Sequence, residues 1–157
     1  MTTGAGRPEG VARGDSAATP LHPPLSVEHV RVRADRVEAT VRVADPRYRM
    51  TDATLTHRVL ARCPSLVHHA CRNDEGPLFS AVMDHTSVPH LLEHLIIDAQ
   101  TRAAHDVHRV FVGTTQWCAG EEALALVSVS FEDDLTALSA LRDAVARLND
   151  DLIALRG

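Results

Sequence analysis

The sharpest chemical pattern in the chain is the run His90-Leu91-Leu92-Glu93-His94. In a helix, positions i and i+4 lie on one face a turn apart, so His90 and His94 can present two imidazoles to one metal ion. Imidazole is the commonest protein metal ligand. Glu93 lies beside His94 and three positions from His90, on the flank of that face. From there a carboxylate can take a proton from a metal-bound water without binding the ion itself. The plainer reading of the same residues is a solvated Glu–His face with i,i+4 contacts and no ion.

A catalytic zinc takes three protein ligands and keeps a position open. Two further places could supply the third. His68-His69 falls in Leu66 to Cys71, which reads as a short strand, so alternation sends the two rings to opposite faces. Glu132, in Phe131-Glu132-Asp133-Asp134, is a carboxylate candidate or else an anion at a helix N-terminus. Asp84-His85 could orient a ligand imidazole from behind. Cys71 reads as a small core residue, and His105 and His108 as solvent-facing. Trp117 reads as a packing or rim residue in the connection between two strands.

The elements that must position these groups follow from hydrophobic periodicity. Residues 1–25 are rich in Gly, Pro, Ala and Thr, and read as a disordered tail preceding one domain over 26–157. Val27 to Val43 alternates as a strand pair turned at Ala34-Asp35-Arg36. Thr51 or Asp52 caps a helix reaching about Arg62, and Pro64 stops it. Leu78 to Met83 reads as a short helix. Ser87 caps the motif helix, which runs to about Ala104 with Pro89 in its first turn. On its wheel Leu91, Leu92, Leu95, Ile96 and Ala99 share one side. His90, Glu93, His94, Ile97 and Thr101 share the other, and Ile97 there implies that both sides are partly covered, with the His pair facing a cleft. Val107 to Thr114 and Ala123 to Phe131 read as strands. Asp133 or Asp134 opens a C-terminal amphipathic helix. Strands and helices mix without strict βαβ alternation, which predicts a single-domain α+β fold with a mostly antiparallel sheet.

Composition narrows the function classes. The 157 residues suit one domain, with 45% apolar and 24% charged residues, the balance of a globular protein. No run approaches the roughly 20 apolar residues of a bilayer span, so no membrane role is expected. A net charge of −5 and 3% aromatics argue against nucleic acid, which demands a basic surface and stacking platforms. All 16 basic residues are arginine, and there are 10 histidines. The 3 cysteines show no CxxC, and no secretory pattern opens the chain; reduced thiols in a cytoplasmic protein are expected.

Cys63 to Gln100 resembles the N-terminal domain of cyanophycin synthetases. Pro64-Ser65-Leu66-Val67-His68-His69-Ala70-Cys71 is similar to the family's P-x-L-x-E-H-x-C segment, and Ser87 to Gln100 to its G-H-x-x-E-H-x-x-x-E-L-Q helix. Val110 to Thr115 and Val127 to Glu132 look like its G-F-G-R-T-R turn and V-V-F-E-Y strand. The likeness extends over about residues 50 to 155. His68 stands where the family has Glu, Pro89 replaces the Gly before the first motif His, and the turn is reduced to Val112-Gly113-Thr114-Thr115.

In the synthetases this domain handles a polymer of aspartate with arginine branches, and in some members the helix forms a metallopeptidase-like site. The resemblance, together with the inverzincin-like H-x-x-E-H pattern, implies a small zinc-dependent hydrolase of peptide or isopeptide bonds. His90 and His94 are then ligands, His69 the third with Glu132 in reserve, and Glu93 the general base. The alternative is a non-catalytic module that holds a peptide or a separately encoded ligase or peptide-modifying enzyme. At 157 residues, no ligase domain is expected within this chain.

Overall fold

The computed structural model describes residues 22–157, so the expected tail lies, up to residue 21, outside the described residues. Alternation builds the sheet. In strand β2 (Arg36–Val43), Val37, Ala39, Val41 and Val43 turn to one face and are buried, while Glu38, Thr40 and Arg42 turn to the other. Strand β1 (Leu25–Val32) forms the expected hairpin with it, closed by Arg33 N–H donating to the Arg36 carbonyl at 2.8 Å. Strands β3 (Gly113–Trp117) and β4 (Leu124–Ser130) complete an antiparallel sheet of order β1-β2-β4-β3. Ala125, Val127 and Val129 of β4 join the buried face.

Helices α1 (Ala53–Leu60), α2 (Val88–Ala103) and α3 (Asp134–Arg156) supply the second layer, which makes the fold α+β. Each starts at a side-chain cap that satisfies an otherwise orphaned N–H. Asp52 accepts from Leu55 N at 2.8 Å, Ser87 from His90 N at 3.2 Å, and Asp133 from Thr136 N at 2.7 Å. α2 packs on α3, β3 and β4, and α3 also reaches α1, β1 and β2. Two amides pin helices to the sheet. Asn149 of α3 exchanges hydrogen bonds with the Leu25 backbone at 2.7 and 2.9 Å, and buried Gln100 of α2 donates to the Ser130 carbonyl at 3.0 Å.

The structure corrects three local expectations. Leu66 to Cys71 is no strand: Pro64–His68 forms a tight 3₁₀ turn, and only Ala70 makes an isolated bridge, to Leu78. Pro64, with its fixed φ and missing N–H, suits the first turn of such a helix. Leu78 to Met83 likewise shrinks to one 3₁₀ turn, Phe79–Ala81. Finally, the ladder expected from Val107 begins only at Gly113, where β4 offers a partner, and Val107, Val110 and Val112 stay exposed. Trp117 is therefore the last residue of β3 rather than part of the connection. Among the described residues no helix is long and apolar enough to cross a membrane.

Candidate metal centre

Helix α2 is covered on both sides. Leu91, Leu92, Leu95 and Ile96 enter the core, while Glu93, His94 and Asp98 on the polar side are also buried, to 5%, 2% and 2% exposure. The cover over the histidines comes from the turns between residues 64 and 81; the cover over Glu93 comes from β3.

His90 and His94 lie a helical turn apart with ring centroids separated by 5.0 Å. Phe79, fully buried, stacks on His94 at 3.9 Å and meets His90 edge-on at 5.2 Å, which fixes both ring planes. Cys71 Sγ stands 3.5 Å from His90 Nε2. A ring nitrogen of each histidine and the Cys71 sulfur all fall within 4.8 Å of one another. A tetrahedral ion with bonds of about 2.0–2.3 Å holds its donors about 3.3–3.8 Å apart. A small closure of this cluster would meet that spacing, so Cys71, His90 and His94 could hold a metal ion.

The neighbouring groups set which nitrogen is free. His90 Nδ1 pairs with the Thr86 hydroxyl at 2.8 Å, leaving Nε2 toward Cys71. His69 stands behind His94, the two Nδ1 atoms 3.2 Å apart, while its Nε2 faces the Asp98 carboxylate at 3.6 Å. A carboxylate there favours the proton on His69 Nε2, so His69 Nδ1 accepts and His94 Nδ1–H donates. His94 Nε2 is then a bare lone pair, and it is buried with no hydrogen-bond partner. Asp98 also receives the Ser65 hydroxyl and pairs with Arg102 at 3.1 Å. Burial pulls its carboxyl upward, but the His69, Ser65 and Arg102 contacts outweigh that and hold it below the ordinary range.

Burial pushes the His94 pKa down to about 3, helped by the neighbouring His90 and His69 charges, and burial lowers His90 as well. Both rings are thus kept in the neutral form that binds metals. Burial raises the Cys71 thiol; a contact with Asn73 opposes the rise and the Glu93 charge adds to it.

Glu93 points toward β3, where Thr115 Oγ1 donates to its Oε2 at 2.5 Å. Gly113 leaves room for it: a Cβ there would lie 2.5 Å from Glu93 Cγ and Oε1 and would force the Glu93 side chain to shift. Burial pushes the Glu93 carboxyl up to about 7, against the lowering effect of the Thr115 bond.

Of the residues singled out in the sequence, His90 and His94 come together with Cys71, His69 lies between His94 and Asp98, and Glu93 points instead to Thr115 of β3. His68 is exposed, and Glu132 is exposed in the β4–α3 connection, outside the cluster. Asp84 receives the Thr56 hydroxyl and His85 pairs with Glu75 at 2.8 Å; the groups that do bear on the imidazoles are Thr86 and Asp98. His105 and His108 are exposed, and Trp117 is 39% exposed at the sheet edge. Sequence reasoning missed Cys71 as a candidate metal donor, and missed Phe79, Thr86, Asp98, Gly113 and Thr115. Two signals were present: the His69-x-Cys71 spacing, and Asp98 four residues beyond His94 on the same face.

No curated protein matches the chain. The profile of one family, described as the cyanophycin synthase-like N-terminal domain, matches residues 45–154. That span holds α1, the turns carrying His69 and Cys71, α2, β3, β4 and most of α3, hence every side chain of the cluster. The chain belongs to the cyanophycin synthase-like N-terminal domain family.

Proposed function

We propose that this protein is a zinc-dependent hydrolase of peptide or isopeptide bonds. The observation that carries the reading is the cluster of Cys71, His90 and His94, in which His94 also has a ring nitrogen, Nε2, buried without a hydrogen-bond partner. A bare ring nitrogen shut away from water costs stability unless something occupies its lone pair. One thiolate and two imidazoles form a donor set that suits zinc. Cys71, His90 and His94 would hold the ion, and His69, backed by Asp98, would orient His94 rather than ligate.

At such a site a zinc ion supplies Lewis-acid polarisation of a scissile carbonyl. The remaining work falls to the chain. Glu93 takes a proton from the water that attacks the carbonyl carbon, and gives it to the nitrogen as the C–N bond breaks. A carboxyl near pKa 7 suits a base working at neutral pH. Thr115 fixes Oε2 and leaves Oε1 to handle the proton. The substrate in this reading is a peptide or an isopeptide, and a separately encoded ligase or peptide-modifying enzyme is its natural companion.

A second reading is favoured by the closure of the site: Glu93 and His94 are only 5% and 2% exposed. A module that binds a peptide or partner without cutting needs no open path to these two side chains. Hydrolysis of a peptide panel that includes arginine-bearing β-aspartyl dipeptides separates the two readings. Zinc-loaded wild type should cleave a member of the panel, and Glu93→Gln should keep its zinc and lose about 10²–10⁴-fold in rate. No cleavage of any member by zinc-loaded wild type would leave only the binding role.

A further inference from the structure

Along α2, His90, His94, Asp98 and Arg102 follow one another at four-residue steps and form one stripe. The stripe begins at the metal cluster and ends elsewhere. Arg102 lies eight residues beyond His94, about 12 Å along the helix, and there it borders a cavity of about 320 Å³ between α2 and α3. Arg62 and Arg147 border it too, over a floor that includes Leu95, Ala140 and Ala144. The two alanines explain the space, because short side chains on α3 leave the facing surface of α2 unfilled.

The charges around this cavity do not cancel. Arg62 shares the single Asp151 carboxylate with Arg58, so two guanidinium groups meet one carboxylate. Arg102 is paired with Asp98 at 3.1 Å. Arg147 has no ion pair or side-chain hydrogen bond among the described residues. Asp143, the acidic residue of the lining, is engaged by Arg142 at 2.9 Å. The guanidinium fork matches a carboxylate through two parallel hydrogen bonds. The apolar floor, in turn, rewards a ligand that carries hydrocarbon with its charge. The volume stands at the lower end of the roughly 300–1,000 Å³ of small-molecule pockets.

We propose that this α2–α3 cavity is a binding site for a small amphipathic carboxylate, its acid group on Arg147 and Arg102 and its short apolar body on Leu95, Ala140 and Ala144. The site stands apart from the metal cluster and does not depend on the hydrolase reading.

Titration calorimetry of the full chain with hexanoate, hexanol and inorganic phosphate tests it. Hexanoate should bind saturably at one site, with hexanol and phosphate both much weaker. Arg147→Gln, a change at an exposed residue, should weaken hexanoate by about tenfold or more. Ala144→Leu, which fills the floor, should abolish binding while circular dichroism remains native. Three results would overturn the assignment: no saturable hexanoate binding; hexanol or phosphate binding as well as hexanoate; or hexanoate affinity unchanged in Arg147→Gln.

Discussion

Thr115 and Glu93 meet across the β3–α2 contact, the hydroxyl donating to carboxylate Oε2 at 2.5 Å. The bond favours the charged carboxylate while burial disfavours it, and burial prevails, leaving the group near pKa 7. Burial acts in the same way on the His90 and His94 rings, which it keeps neutral.

The raised Glu93 pKa sets a pH-dependent stability. Its folded value, about 7, lies above the ordinary 4.5, so the stabilising contribution of the protonated form is complete below about pH 4.5. That contribution is lost as pH rises through the folded value. Glu93→Gln stays neutral throughout. In metal-free protein the variant should exceed wild type by up to about 3 kcal/mol above pH 7, and by nothing near pH 4. Urea unfolding at the two pH values reads the difference, and an equal gain at both would place the carboxyl outside the environment described.

Thr115→Val removes the donor and leaves Glu93 Oε2 buried without a partner, at a cost of about 1–3 kcal/mol. Because the lost bond was lowering the Glu93 pKa, the acidic limb of the kcat/KM profile should move to higher pH. Thr115→Ser, which keeps the hydroxyl, should restore both stability and profile. A profile unmoved by Thr115→Val would show that this hydroxyl does not tune the base.

His69 and Asp98 act on His94 from behind, and such support groups are typically worth about 10–100-fold in metal affinity. His69→Ala and Asp98→Asn should each weaken zinc binding by about that factor without abolishing it. His68→Ala, at an exposed position, should leave it unchanged. Competition against a chromophoric chelator gives the affinities. Complete loss of zinc in His69→Ala would make His69 a ligand in its own right.

Far from the cluster, Asp151 on α3 binds Arg58 and Arg62 from the α1 region, with its own side chain 3% exposed. Burial raises its pKa, but the two arginines outweigh burial and hold it below 3.8. A depressed carboxyl stabilises the fold above its unfolded pKa and loses that contribution as pH falls through the folded value. Asp151→Asn should cost about 1.5–3 kcal/mol at neutral pH. The gap from wild type should narrow only below about pH 4. A gap that narrows already at about pH 6 would contradict the assignment.

The sequence carried the helix that matters and little of what surrounds it. Ser87, Pro89 and the leucine stripe mark α2 because capping and 3.6-residue periodicity are local. The β1–β2 hairpin was legible for the same reason, since strict alternation over Val27 to Val43 has one structural meaning. Cys71 was not legible as a donor, because a strand reading of Leu66 to Cys71 hid the 3₁₀ turn that brings His69 and Cys71 over α2. Asp98, Thr115 and Gly113 matter only through packing between α2 and distant segments, which no local pattern records. Val107 to Val112 alternates without forming a strand, because alternation does not supply a partner; pairing with β4 starts at Gly113.

The claim on which the rest depends is that Cys71, His90 and His94 bind one metal ion. Elemental analysis of protein purified without chelator measures it directly. Wild type should retain about one zinc per chain, and Cys71→Ala and His94→Ala should fold and retain essentially none. Folded wild type that remains metal-free after zinc loading, or His94→Ala that keeps its zinc, would contradict the account.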